Sequence, residues 1–248
     1  MPVVTAPIRG APNDARAERM TDTSGATAGL LLFDEPAGSH AERAYRGLLE
    51  EIVSLRLAPG EVLVEERLCE LLELGRTPVR EALQRLAAQR LVVIIPRRGV
   101  MVSEINITDL REIYQVRAPL EGQAAALAAE RWGGRELPSA VTADLAAMSA
   151  APDFFALVAV DHRLHHAIHQ MAGNSYLLST LDWLITLSIR LVTAAGQRLP
   201  AQPADELAET MRDFRDQFAA ITAGDAAEAE RLARRHAGFS EELLRRVV

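Results

Sequence analysis

The ten residues 161–170, DHRLHHAIHQ, hold four of the chain's six histidines together with an aspartate. Carboxylates and imidazoles are the side chains of acid–base catalysis and of metal ligation, so the run raises both chemistries. On a helix advancing about 100° per residue, Asp161 and His165 fall one turn apart on one face, and Ile168 extends that stripe. His162, His166 and His169 drift toward the opposite side. The run alone therefore supplies one close carboxylate–imidazole pair, and any site built on it must be completed from elsewhere. No phosphate-cradling glycine loop and no G-x-S-x-G nucleophile turn accompanies it.

The elements that must carry such a site are helices. Hydrophobic residues make up 49% of the 248 residues and aromatic ones 4%, with alanine and leucine dominating, the composition of packed helices rather than of a sandwich or barrel. The length suffices for two modest domains, each able to bury a core of its own. No run of about 18 apolar residues free of charge is present, so no membrane span is expected. The first residues lack the charged start and apolar core of a secretion signal. A single cysteine, Cys69, excludes an intrachain disulfide and fits a cytoplasmic location.

Every basic residue is arginine, and the net charge is -7. The balance differs by segment: 3 arginines against 5 acids in 1–39, 10 against 9 in 40–103, and 14 against 20 in 104–248. The acidity therefore resides in the last part and does not exclude a polyanionic partner for the middle one.

Residues 1–36, rich in Pro, Gly, Ala and Thr, are expected to be a disordered tail. Ser39 and Glu42 form a capping-box pattern ahead of Tyr45, Leu48, Leu49, Ile52 and Leu55 at helical spacing. Pro59 and Gly60 break that helix, and a second covers about 65–72. A third is expected to start with Thr77 as N-cap and Pro78 at the first helical position. LVVII and GVMVSEI then flank PRR as a two-stranded hairpin. Three helices and a hairpin over 37–105 outline a winged helix-turn-helix. From 106 to 248 the spacing predicts an all-α bundle of six to seven helices, over 108–131 with a kink at Pro119, 139–149, 153–171, 175–198, 204–222 and 225–246.

GRTPVREALQRL, residues 75–86, has the chemistry of a recognition helix. The N-terminal end of such a helix enters the major groove, where arginine grips guanine with two bonds and threonine reaches phosphate. Arg76, Thr77 and Arg80 supply those groups. Arg97 and Arg98 at the hairpin tip would meet an adjacent groove or the backbone, with Gly99 permitting close approach.

The stretch LVEERLCELLELGRTPVREALQRLAAQRLVVIIPRRGVMV resembles the DNA-binding domain of the GntR family of bacterial transcription regulators, whose pattern includes R-T-P-V-R-E-A-L and a P-x-R-G wing. Gly75 departs from the Ser or Thr usual before the arginine, which places one local cap or phosphate contact in doubt. DLREIYQVRAPLEGQAAALAA (109–129), DHRLHHAIHQMAGNSYL and AITAGDAAEAERLARRH (220–236) are similar to the FCD domain of the FadR-type subfamily. The resemblance implies an effector-sensing, dimerising helical domain. Many FCD domains hold a divalent metal of the zinc, nickel or manganese class through an aspartate, a histidine one turn on, and two later histidines. Asp161, His165 and His236 match three of those positions. The fourth falls on Phe214, 22 residues before His236 and just after Asp213, and phenylalanine cannot ligate.

Three arrangements remain open: a three-ligand metal site, a site completed by His169 or Asp213, and a metal-free effector cavity in which His165 and His236 donate hydrogen bonds. Arg117 lies in the family's V-R-x-x-L-E position and could clamp a carboxylate, or pair with Glu121 one turn on. Asn174 could line the pocket or serve as a turn residue, and Arg190 is a further candidate for effector contact. His162 and His166 are read as surface or interface residues. The expectation is a cytoplasmic, homodimeric repressor, not an enzyme, with palindromic double-stranded operator DNA and a small carboxylate effector as partners and no membrane. Two alternatives are a metal-dependent enzyme using Asp161, His165 and His236, and a constitutive DNA binder whose bundle serves dimerisation alone.

Overall fold

The computed structural model describes residues 38–148, 154–196 and 204–245. The tail expected over 1–36 lies outside them. Among the described residues, nine helices and three short strands follow one another.

Helix α1 (His40–Val53) begins where Ser39 accepts a hydrogen bond from the Glu42 amide at 3.1 Å. The return bond of a capping box is replaced: the Glu42 carboxylate instead takes Arg46 at 2.7 Å and Arg85 at 2.6 Å, tying α1 to the third helix. Strand β1 (Val62–Leu63) precedes α2 (Glu65–Leu72) and α3 (Arg76–Ala88), which are followed by β2 (Val92–Ile95) and β3 (Gly99–Val102). The sheet is antiparallel with order β1-β3-β2, so the expected hairpin gains a third strand. Two residues after a Pro-Gly break are too few to show a period of two. The N-cap of α3 is Gly75 rather than Thr77. Thr77 and Pro78 instead occupy the first turn, where a missing N–H still costs no intrahelical bond. Val79, Ala82, Leu83 and Leu86 of α3 are buried in one cluster with Leu48 and Ile52 of α1.

The remaining helices are α4 (Ile107–Trp132), α5 (Ser139–Met148), α6 (Phe154–Met171), α7 (Ser175–Gly196), α8 (Ala204–Ala223) and α9 (Ala226–Arg245). Helix α4 runs through Pro119 as one element. It lies most extensively along α9 and also touches α6, α7 and α8, which makes it the spine of the bundle. The turns after α4 and α8 cross where Gly133 meets Gly224.

The two regions do not keep separate cores. Val158 of α6 and Ile185 and Ile189 of α7 belong to the same buried cluster as α1, α3 and the sheet. The Trp183 indole donates to the Gln89 carbonyl at 3.2 Å, and Arg190 donates to the Ser103 carbonyl. Helix α7 is long and apolar enough to cross a bilayer by length and composition. It carries Asp182 and Arg190, however, and buries Leu181, Leu184, Ile185 and Ile189 inside the protein, as a core helix does.

Candidate nucleic-acid interface and buried polar site

At the start of α3, Arg76, Thr77 and Arg80 are exposed while Val79 faces the core. Gly75 offers no side-chain cap, so the first N–H groups of α3 stay open to an anion. Arg76 donates to Glu66 at 3.0 Å, and Arg80 to both oxygens of Glu65 at 3.0 and 2.8 Å. These exposed pairs hold the guanidinium groups in place at little energetic cost to release, about 0–1 kcal/mol each. Arg97, Arg98 and Gly99 are exposed at the wing tip, Arg97 with φ 65° and Gly99 with φ 106°.

Inside the bundle, Arg117 and Glu121 form the pair that their spacing allows, Nε to Oε1 at 3.0 Å, with side chains 6% and 2% exposed. Arg117 Nη1 donates to Tyr114 Oη at 3.3 Å, and Nη2 lies 3.1 Å from His165 Nε2. Arginine can only donate, so His165 Nε2 accepts and the ring proton sits on Nδ1. That proton points to Glu121 Oε2 at 3.2 Å, and His169 Nε2 donates to the same oxygen at 2.8 Å. Burial acts to raise the Glu121 carboxyl, but His165, His169 and Arg117 hold it well below the usual carboxylate range. Burial also lowers the His165 ring, against the pull of Glu121 and Asp161, as its acceptor role requires.

Asp161 stands on the other side of His165. Its oxygens lie 3.7 Å from His165 Nε2 and 3.6 Å from His236 Nε2, and His236 Nδ1 is 3.5 Å from Asp213 Oδ2. These separations are too long for good hydrogen bonds. Among the described residues, both His236 nitrogens, Asp213 Oδ2 and Gln217 Nε2 are buried without a hydrogen-bond partner. Burial acts to lower the His236 ring, but Asp161 and Asp213 raise it to about 9. The Asp161 side chain stays 28% exposed between buried Val160 and His162, so its carboxylate borders a space that solvent enters.

Asp161, His165 and His236 form one compact grouping of potential metal ligands, and Glu121, His165 and His169 form another. In both, hydrogen bonds within the protein already engage part of the set. Phe214 is fully buried, its ring centroid 5.0 Å from that of His165 and 4.6 Å from that of His236, and it fills the place of the missing ligand. His165 is common to both groupings, and its Nε2 already accepts from the Arg117 guanidinium.

The other candidates lie elsewhere. Asn174 is exposed, and its side-chain oxygen caps α7 by accepting from the Tyr176 and Leu177 amides, each at 3.2 Å. It is therefore a cap and not a pocket residue. Arg190 lines a groove of about 370 Å³ between the two regions with Ser103, Glu104 and Ile113, away from the Arg117 cluster. His162 and His166 face a second cleft of about 310 Å³ shared with Tyr45, Arg85 and Gln89. There His166 Nδ1 lies 3.1 Å from Asp182 Oδ1. His169 lies one turn beyond His165 on the same face, not on the opposite one, and that spacing alone could have placed it beside His165. Gln217 was missed as well, although a glutamine one turn after Asp213 on an otherwise apolar face is a readable signal.

A helix-turn-helix with arginines at the open end of its second helix and a basic wing, followed by a helical bundle that encloses a polar cluster, is the outline of a DNA-binding protein with a second, helical domain. The profile "Bacterial regulatory proteins, gntR family" matches residues 40–102, and the profile "FCD domain" matches residues 112–239. The chain is 31% identical over 203 residues to the HTH-type transcriptional repressor GlaR of Escherichia coli (strain K12), covering 77% of this chain and 90% of GlaR. The solved structure of E. coli McbR/YncC shares the fold at a TM-score of 0.70 and 24% identity, over 84% of this chain and 98% of that one. A transcriptional regulator from Rhodococcus sp. RHA1 does so at 0.66 and 20%, with the same coverage. The chain belongs to the GntR family of bacterial transcription regulators and carries an FCD domain. Its relatives are DNA-binding regulators, not enzymes.

Proposed function

We propose that the protein is a homodimeric repressor that acts in the cytoplasm on a palindromic operator and responds to a small carboxylic acid. The observation that carries the DNA reading is the open N-terminal turn of α3, where Arg76, Thr77 and Arg80 are exposed beside free N–H groups. In this reading Arg76 and Arg80 reach base edges, Thr77 a phosphate, and Arg97, Arg98 and Gly99 the neighbouring backbone or groove. A dimer would present two such helices to half-sites one helical turn apart, about 34 Å.

The effector reading rests on the unpartnered atoms beside Asp161. His236 and the Gln217 amide can donate to a carboxylate, while Asp161 and Asp213 can accept from a hydroxyl, so a small hydroxylated acid suits the set. Arg117 enters as support, because each of its nitrogens already has a protein partner. An effector that draws Asp161 and His236 together would shift α6 against α9, and through α7 the DNA-binding region.

The test uses duplexes selected by the wild-type protein from a random pool. Arg76→Ala and Arg80→Ala are expected to weaken binding by about tenfold or more each, in line with about 1–3 kcal/mol per bidentate base contact, with unchanged melting temperature. Unchanged affinity in both variants would overturn the recognition-helix assignment.

A further inference from the structure

We infer that the FCD domain of this chain works without a metal, the Arg117 guanidinium and the Phe214 ring having taken the places that a divalent cation and one of its ligands would need. This rests on reading the buried cluster as the effector site and states what kind of site it is.

A metal centre in this cluster needs His165. Its Nε2 is the nitrogen facing Asp161, and it already accepts a hydrogen bond from Arg117 Nη2 at 3.1 Å. Its Nδ1 faces Glu121 Oε2. An ion bound on either side of the ring would therefore have to break a buried hydrogen bond and sit against a guanidinium that is 6% exposed and cannot lose its proton. Glu121 is also committed, since its oxygens serve Arg117, His165 and His169 together. What remains is Asp161 and His236, with Phe214 wedged against both rings where a further imidazole would complete the shell. Two ligands do not make a structural or catalytic site for zinc or its neighbours, which take three or four from the protein.

The positive charge that a metal would supply is thus built into the chain and fixed by the Tyr114, Glu121 and His165 contacts. Unlike a metal, a guanidinium cannot be chelated away or exchanged. Its partner Glu121 neutralises it in the resting state, so the effector is held by hydrogen bonds from the free groups around Asp161 instead of by coordination.

The experiment is elemental analysis of the full-length protein after incubation with a tenfold excess of Zn²⁺, Ni²⁺ or Mn²⁺ and desalting, with the double variant Arg117→Met, Phe214→His alongside. Wild type is expected to retain less than about a tenth of an equivalent and to show no shift in melting temperature with any of the three ions. The double variant, which offers Asp161, His165, His236 and the new imidazole with no guanidinium beside them, is expected to retain about one equivalent. About one equivalent on wild type, lost in His165→Ala, would overturn the inference. So would a folded double variant that gains none, or Phe214→His alone gaining a full equivalent, which would show that the guanidinium is no barrier. If the double variant does not fold, the wild-type titration decides by itself. None of these readings depends on DNA binding, so failure here and failure of the regulator reading are separable.

Discussion

Single positions fix more than their own contacts in this protein. A Cβ on Gly133 would lie 2.8 Å from the Gly224 Cα, a backbone atom that cannot swing aside. Gly133→Ala is expected to cost about 1–3 kcal/mol by overpacking, read as a lower melting temperature with an unchanged helical signal. An unaltered melt would mean that the two turns do not meet. Asp182 offers a test of the cleft between the regions. Burial acts to raise its carboxyl, but the hydrogen bond with His166 and the nearby His166 and His169 rings hold it at about 2, below its ordinary 3.8. A depressed carboxyl adds stability above its unfolded value and loses it as pH falls toward the folded one. The melting-temperature gap between wild type and Asp182→Asn is therefore expected to be full at pH 6 and to shrink steadily below pH 4. A gap independent of pH would remove the charge from the explanation. At this scale the sequence was legible for some partners one turn apart, as in Arg117 with Glu121 and Asp161 with His165, but not for His169, which follows His165 by one turn on the same face. It was silent where partners come from different helices, as when Glu121 of α4 joins two histidines of α6.

Elements follow the same division. The boundaries of α2 and of the helices from α4 onward are readable within about two residues, because caps and breakers are local chemistry. Strand β1 is not, since its two residues pair with β3 across the intervening helices. Nor is the double role of α7. Its apolar spacing marks it as buried but cannot say that Ile185 and Ile189 insert into the core of the DNA-binding region. That shared core has a measurable consequence. Ile189→Ala removes a side chain that is 3% exposed at the junction and is expected to cost about 2–5 kcal/mol. With the regions joined in one core, calorimetry is expected to give a single transition that moves down as a whole. Two resolved transitions, of which one moves, would show that the regions melt independently and that α7 does not couple them.

As a whole molecule the protein binds a polyanion while carrying a net charge of -7. The two facts are compatible because charge acts locally: exposed arginines cluster at the start of α3 and at the wing tip, and the acidic excess lies in residues 104–248. An acidic body also disfavours unspecific attachment to DNA, and in the proposed reading discrimination comes from base contacts at α3. The most direct test is binding of the full-length protein, by fluorescence anisotropy at about 150 mM salt, to its in vitro selected duplex and to a shuffled duplex of equal composition. A sequence reader is expected to prefer the selected duplex by about a thousandfold or more, with affinity falling steeply as salt rises. Equal affinity for the two duplexes, or none for either even at low salt, would contradict it.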